Sequence, residues 1–170
     1  MPHVLTPFAM PFVMNDWLFT QAVSAIPESK GDTRLHPGTN TPRGVAVHLV
    51  MARHALCELL GAKPPALPWK DVGEMFDAGF KEGGERPPLA TVMQAWKALE
   101  PVFHKALVSA PADVLAKPSP LPIPGMERPT VADFAALNVV HESYHLGQLG
   151  LITKGLTGKR VMNPEAAGAR

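Results

Sequence analysis

A single cysteine, Cys57, stands among 170 residues. It excludes an internal disulfide framework and any cysteine-rich zinc module. Charge is scarce too: 18% of residues are charged, against ~25% in ordinary soluble domains. With 16 basic and 15 acidic side chains the net charge is +1. That balance lacks the basic face a nucleic-acid binder needs. It also lacks the polybasic cluster of a membrane anchor. No run approaches the ~18 uninterrupted apolar residues of a spanning helix. The N-terminal stretch MPHVLTPFAMPFVM has no basic region and no small-residue cleavage site, and Pro7 and Pro11 interrupt it. It does not read as a signal peptide, and the expected compartment is the cytoplasm.

What is abundant is apolar surface and proline. Hydrophobic residues make up 46%, enough for a real core in one domain spanning 1–170. The 19 prolines are about twice the ~5% average share. They fall mainly between segments of helical periodicity. The first such segment runs from about Phe8 to Ile26 and stops at Pro27. Thr41 and Pro42 read as the cap and first residue of a second, Pro42 to Leu60, closed by Gly61. Its expected stripe is Val45, His48, Leu49, Ala52, Leu56 and Leu59. A short helical turn is expected around Val72 to Phe80. A third helix starts near Leu89, with a kink or break expected at Pro101. The run Lys117 to Pro129 reads as an ordered crossover. Thr130 and Asp133 form a capping box for the last helix, Val131 to about Lys154, with Gly155 closing it. The core then covers about 8–154, and 155–170 is a tail. No hairpin signal and no repeat is present. The expected class is all-α, a four-helix bundle with long crossover connections.

The last helix contains VVHESYHLGQL. His141 and His145 are four apart, so both rings leave one face and can reach one ion. Exposed polar histidines share this spacing. The register favours the ligand reading: Phe134, Asn138, His141, His145, Gln148 and Ile152 form one stripe, apolar at its ends and polar in the middle. A polar patch facing inward must be satisfied, and an ion with supporting hydrogen bonds does so. His48 lies on the apolar stripe of the second helix. Alone it reads as a core histidine bonded to a carbonyl; beside the paired histidines it reads as a third ligand. Three imidazoles from two helices leave a coordination position open, as a catalytic metal requires. Imidazole donors without thiolate suit Zn²⁺, Ni²⁺, Fe²⁺ or Cu²⁺, with Zn²⁺ and Ni²⁺ foremost. His54 faces elsewhere by helical phase. His104 reads as structural or exposed, and His3 and His36 as solvent residues in loops. Cys57 reads as a small core residue.

Together these residues resemble the DinB superfamily, the DinB/YfiT-like metalloenzymes. The carrying motifs are Asn15-Asp16-Trp17, His48, and His141-Glu142-Ser143-Tyr144-His145-Leu146-Gly147-Gln148. The resemblance spans roughly Phe8 to Lys154. It implies a four-helix bundle with crossover topology, a divalent transition metal on His48, His141 and His145, and often a homodimer. It also implies a small-molecule substrate, in some members a low-molecular-weight thiol for an S-transferase, in others a hydrolase substrate. The Lys117–Pro129 run is longer than such a bundle needs and is expected to shape a lid.

His141-Glu142-x-x-His145 also spells the H-E-x-x-H motif of zinc peptidases, with Glu142 as general base and Glu165 as a downstream ligand. No strand-rich lobe accompanies it, and Gln148 and Leu151 replace the extended motif's Gly and His. That reading is set aside. Glu142 keeps a catalytic role as a residue at the edge of the ligand face that orients a water at the metal; an exposed surface glutamate is the competing reading. Tyr144 and Gln148 are candidate polar neighbours. Two alternatives to an enzyme stand: a non-catalytic metal- or ligand-binding bundle, and a structural protein whose histidines are satisfied by hydrogen bonds.

Overall fold

The computed structural model describes residues 3–70 and 84–162. The short turn expected at Val72 to Phe80 and the carboxylate Glu165 lie outside the described residues. Four long helices carry the structure: α1 (Ala9–Ser24), α2 (Pro42–Leu59), α3 (Leu89–Ser109) and α5 (Val131–Thr157). A single turn, α4 (Ala112–Leu115), follows α3, and 3-10 turns occupy Thr6–Phe8 and Glu28–Lys30. The all-α expectation holds. Among the described residues the only β feature is an isolated bridge between Pro118 and Thr130.

The helix ends follow their sequences. The Thr41 hydroxyl accepts from Gly44 N at 3.0 Å, with Pro42 in the first turn where no N–H is needed. Thr130 and Asp133 form the expected reciprocal box. Gly61 adopts φ 83°, the left-handed conformation that ends a helix cheaply only for glycine. Gly155, however, does not close α5. The helix runs on to Thr157 and is capped by Gly158 at φ 74°. Gly155 serves packing instead: a Cβ there would stand 2.4 Å from Leu35 Cδ1. The helix α3 passes through Pro101 without a break. That proline lies on the exposed face of the helix.

α1 and α3 run in opposite directions, since Phe12 meets Phe103 at 4.7 Å and Phe19 stacks on Trp96 at 4.0 Å between centroids. α1 and α5 run the same way: Asn15 bonds Glu142, and Thr153 donates to the Ala22 carbonyl. α2 packs between α3 and α5. Its start is tied to the start of α3, since Arg43 donates to the Pro87 carbonyl at 2.7 Å. Their ends meet too, with Leu60, Gly61, Ser109 and Ala110 lining one cavity. Two neighbouring helices running in parallel need a long connection, which explains the proline-rich stretch between them. Glu28 secures this end. It pairs with Arg43 at 2.7 Å and accepts from Leu89 N at 2.8 Å, satisfying one unpaired donor at the start of α3.

The core combines Phe12, Phe19, Trp96, Phe103 and leucines of α2, α3 and α5. On α2 the expected stripe residues Val45, Leu49 and Leu56 are buried, but the buried face is centred about one residue further round. Val50, Arg53 and Cys57 are buried, while Ala52 and Leu59 are half-buried. On α5 the buried line is Ala135, Asn138, Glu142, Leu146 and Leu149, again one step round from the histidines. His3 is not a solvent residue: its Nε2 lies 2.9 Å from the Ala110 carbonyl and fastens the N-terminus to the end of α3.

Candidate metal centre

The one-step rotation of α2 and α5 decides where the histidines stand. Residues on the core line are sealed, but those beside it sit in the seam between helices. His48, His141 and His145 are all half-buried there, and one ligand atom from each lies within 4.8 Å of the others. Ring centroids are 5.0 Å for His48–His141, 4.6 Å for His48–His145 and 4.7 Å for His141–His145. The three rings therefore surround one point nearly evenly. His48 and His141 approach with Nε2 atoms 2.9 Å apart. Two nitrogens each ~2.0–2.1 Å from one ion, at a right angle, stand about 2.9 Å apart, so this pair fits a shared metal.

Other observations agree with that fit. His145 Nδ1 donates to Gln148 Oε1 at 2.9 Å, which leaves Nε2 free of a proton and able to coordinate. Burial pushes His48 down to about 4, with His145 and His141 beside it adding to the shift. Burial and His145 likewise push His141 down to about 4. Burial lowers His145, opposed by its bond to Gln148. All three are neutral imidazoles at pH 7, the form that binds metal. His141 Nδ1 is buried without a hydrogen-bond partner among the described residues.

Beside the cluster, and missed by reading the sequence, lies a buried charge network. Arg53 is 0% exposed. Its Nε donates to Glu142 Oε1 at 2.8 Å and its Nη2 to Oε2 at 2.5 Å. Its Nη1 pairs with Asp16, whose other oxygen meets His104 Nε2 at 2.5 Å. The guanidinium lies over the Trp96 ring, 3.7 Å from its centroid. Burial disfavours the Arg53 charge, but Glu142 and Asp16 overcome it and hold its pKa above the ordinary value. Asn15 Nδ2 donates to Glu142 Oε2 at 3.2 Å, and Ser143 donates to Asn15. The network thus runs from the α2/α5 seam to His104 at the α1/α3 seam.

Glu142 is 1% exposed, which removes the reading of it as a surface glutamate. Its oxygens are engaged by Arg53 and Asn15. His104 is a partner of Asp16 rather than a bystander. Arg53 did leave a trace in the sequence: it sits three or four residues from Val50, Leu49, Leu56 and Cys57, on an otherwise apolar line. Tyr144 is largely exposed, its ring 5.2 Å from that of His145. His54 turns to the Pro65 carbonyl and His36 stays in an exposed loop, as expected. Cys57 is buried, and burial pushes its thiol up to about 12, so it is no thiolate ligand. The Lys117–Pro129 loop is pinned at its base. Ser119 N bonds the Pro129 carbonyl and Val131 N the Lys117 carbonyl, closing the loop on itself at the start of α5. His141 is ten residues further on, roughly 15 Å along the axis.

The third histidine of the cluster comes from α2. No described helix is long and apolar enough to cross a membrane. No curated protein sequence matches the chain. A family model of the DinB superfamily matches residues 17–149, a span that holds all three histidines together with Arg53, His104 and Glu142, while Asn15 and Asp16 lie just before it. The chain belongs to the DinB superfamily.

Proposed function

We propose that this protein is a metal-dependent enzyme of the thiol S-transferase or hydrolase type, holding a divalent transition ion on His48, His141 and His145. The observation that carries the reading is the meeting of three neutral imidazoles from two helices around one point. Zn²⁺ or Ni²⁺ suits this donor set. When bound, such an ion supplies a Lewis acid that brings the pKa of a water or thiol beside it toward ~7.

The chain's own residues do the rest. Gln148 fixes the tautomer and direction of His145. Three imidazoles in a half-buried seam would leave a coordination position of such an ion open to a small molecule. Tyr144 stands at the rim, an aromatic wall for the substrate. A low-molecular-weight thiol is the favoured co-substrate, and a cytoplasmic protein would meet such thiols reduced. Glu142, taken up by Arg53 and Asn15, leaves the bound water to other groups. The same reading includes a homodimer: Val140, Tyr144 and Leu151 leave an exposed apolar stripe on α5 that suits a second copy.

The test is elemental analysis of protein purified without a metal-affinity tag, then reconstituted with Zn²⁺ or Ni²⁺. About one ion per chain is expected in the wild type, with His145→Ala largely empty. Equal and negligible metal in both removes the proposal.

A further inference from the structure

Metal-binding histidines are usually aimed by a hydrogen bond from the second ring nitrogen. His145 has one, from Nδ1 to Gln148. His141 has none on Nδ1 among the described residues. With no such bond, the course of its backbone weighs more in its placing, and the next residue is Glu142. Glu142 is clamped by the Arg53 fork, and Arg53 sits on α2 five residues after His48. Among the described residues this is the only ion pair joining α2 to α5.

Apolar contacts between two helices allow small sliding; a planar two-bond fork fixes both distance and direction. The fork itself cannot pivot. Asp16 holds its third nitrogen, the Trp96 ring lies against its face, and Asn15 holds the far carboxylate oxygen. We propose that Arg53 and Glu142 are positioning residues for the three-histidine centre. Their pairing sets the spacing of α2 and α5, and through it the approach of His48 to His141. This inference rests on the metal reading above and assigns the buried charges a task within it.

The test must separate aiming from simple stability. Replacing a buried ion pair by apolar residues of similar size often leaves a fold as stable as before. The double variant Arg53→Met/Glu142→Leu is therefore expected to keep a urea midpoint near that of wild type. Its affinity for Zn²⁺, read by chelator competition, should nonetheless fall 10–100-fold. Its Co²⁺ complex should show a shifted visible absorption spectrum, because the ligands no longer meet the ion at the same angles. Glu142→Gln, which preserves shape, serves if the double variant does not fold; it should weaken Zn²⁺ about tenfold. If either folded variant binds Zn²⁺ as tightly as wild type with an unchanged Co²⁺ spectrum, the positioning role is wrong and the metal site stands. If wild type itself binds neither ion, the metal reading and this inference fall together.

Discussion

Removing Arg53 alone should be among the most damaging single changes in this protein, and the damage should depend on pH. Arg53→Met keeps most of the aliphatic volume over Trp96 but leaves Glu142 with only Asn15. Glu142 is 1% exposed, so water cannot replace the lost partner. Breaking a buried pair in this way costs about 3–5 kcal/mol. A second route bounds the Glu142 part, Asp16 keeping His104 as its partner. The orphaned carboxylate can fold by taking up a proton, and protonating an ordinary glutamate at pH 7 costs about 3.7 kcal/mol. The penalty at pH 7 should thus lie near 3–4 kcal/mol, the lower of the two limits. It should shrink by ~1.4 kcal/mol per pH unit as that proton becomes easier to take, reaching about 1 kcal/mol at pH 5. The sign follows from linkage: the folded variant binds a proton that the unfolded chain releases, so acid favours the variant relative to wild type. Urea unfolding of both proteins at pH 7 and pH 5, in chelator, measures the difference. A penalty below ~1 kcal/mol at pH 7, or one that does not change with pH, would refute the argument that Arg53 neutralises a sealed carboxylate.

Two glycines in α5 should respond in opposite directions. Gly147 has nothing within 4 Å of a built Cβ, so Gly147→Ala should stabilise the helix by ~0.5–1 kcal/mol. Gly155→Ala meets three Leu35 carbons at 2.4–3.2 Å, and an overpacking cost of ~1–3 kcal/mol should outweigh the same gain. Adding Leu35→Ala should rescue it; equal stabilisation by both alanines in thermal melts would contradict the packing role. The metal-free protein should also lose stability in mild acid. Folded His48 and His141 refuse protons down to about 4, whereas an unfolded histidine accepts them near ~6.5. Between these values the unfolded chain binds more protons, so stability falls as pH falls from ~7 toward ~4. Denaturant midpoints across this range should show a shallower decline in His48→Ala, and an identical slope would count against buried neutral histidines.

The parts of this fold that were legible in the sequence are those written in short spacing. The Thr41–Pro42 start, the Thr130–Asp133 box and the Gly61 stop are local hydrogen-bond chemistry. The His141–His145 pair is one helical turn. Joining His48 to it needed only the judgement that both helices face the same interior. What escaped was phase and distance. Placing Ala52 and Leu59 on the buried stripe instead of Val50 and Arg53 follows from treating arginine as a surface residue. That rule fails where two carboxylates from other helices meet the guanidinium, and nothing local announces Asp16 or Glu142 as those partners. Gly155 misled for a related reason. A glycine near a helix end suggests a stop, but Leu35, 120 residues earlier, determines what that glycine is for.

The error in phase is also what gives the site its character. Had the histidines lain on the core line, as their apolar flanks suggest, they would be sealed, and a sealed three-imidazole cluster has no open side. The core line is instead held by Glu142 and Arg53, whose mutual neutralisation lets charge occupy it. Their presence turns His141, one residue away, into the seam with α2, where it meets His48 at 2.9 Å and stays half-exposed. A buried ion pair adds little net stability by itself, because desolvation offsets most of its attraction. Its use here is directional: it ties α2 to α5 and so sets the spacing at which His48 faces His141.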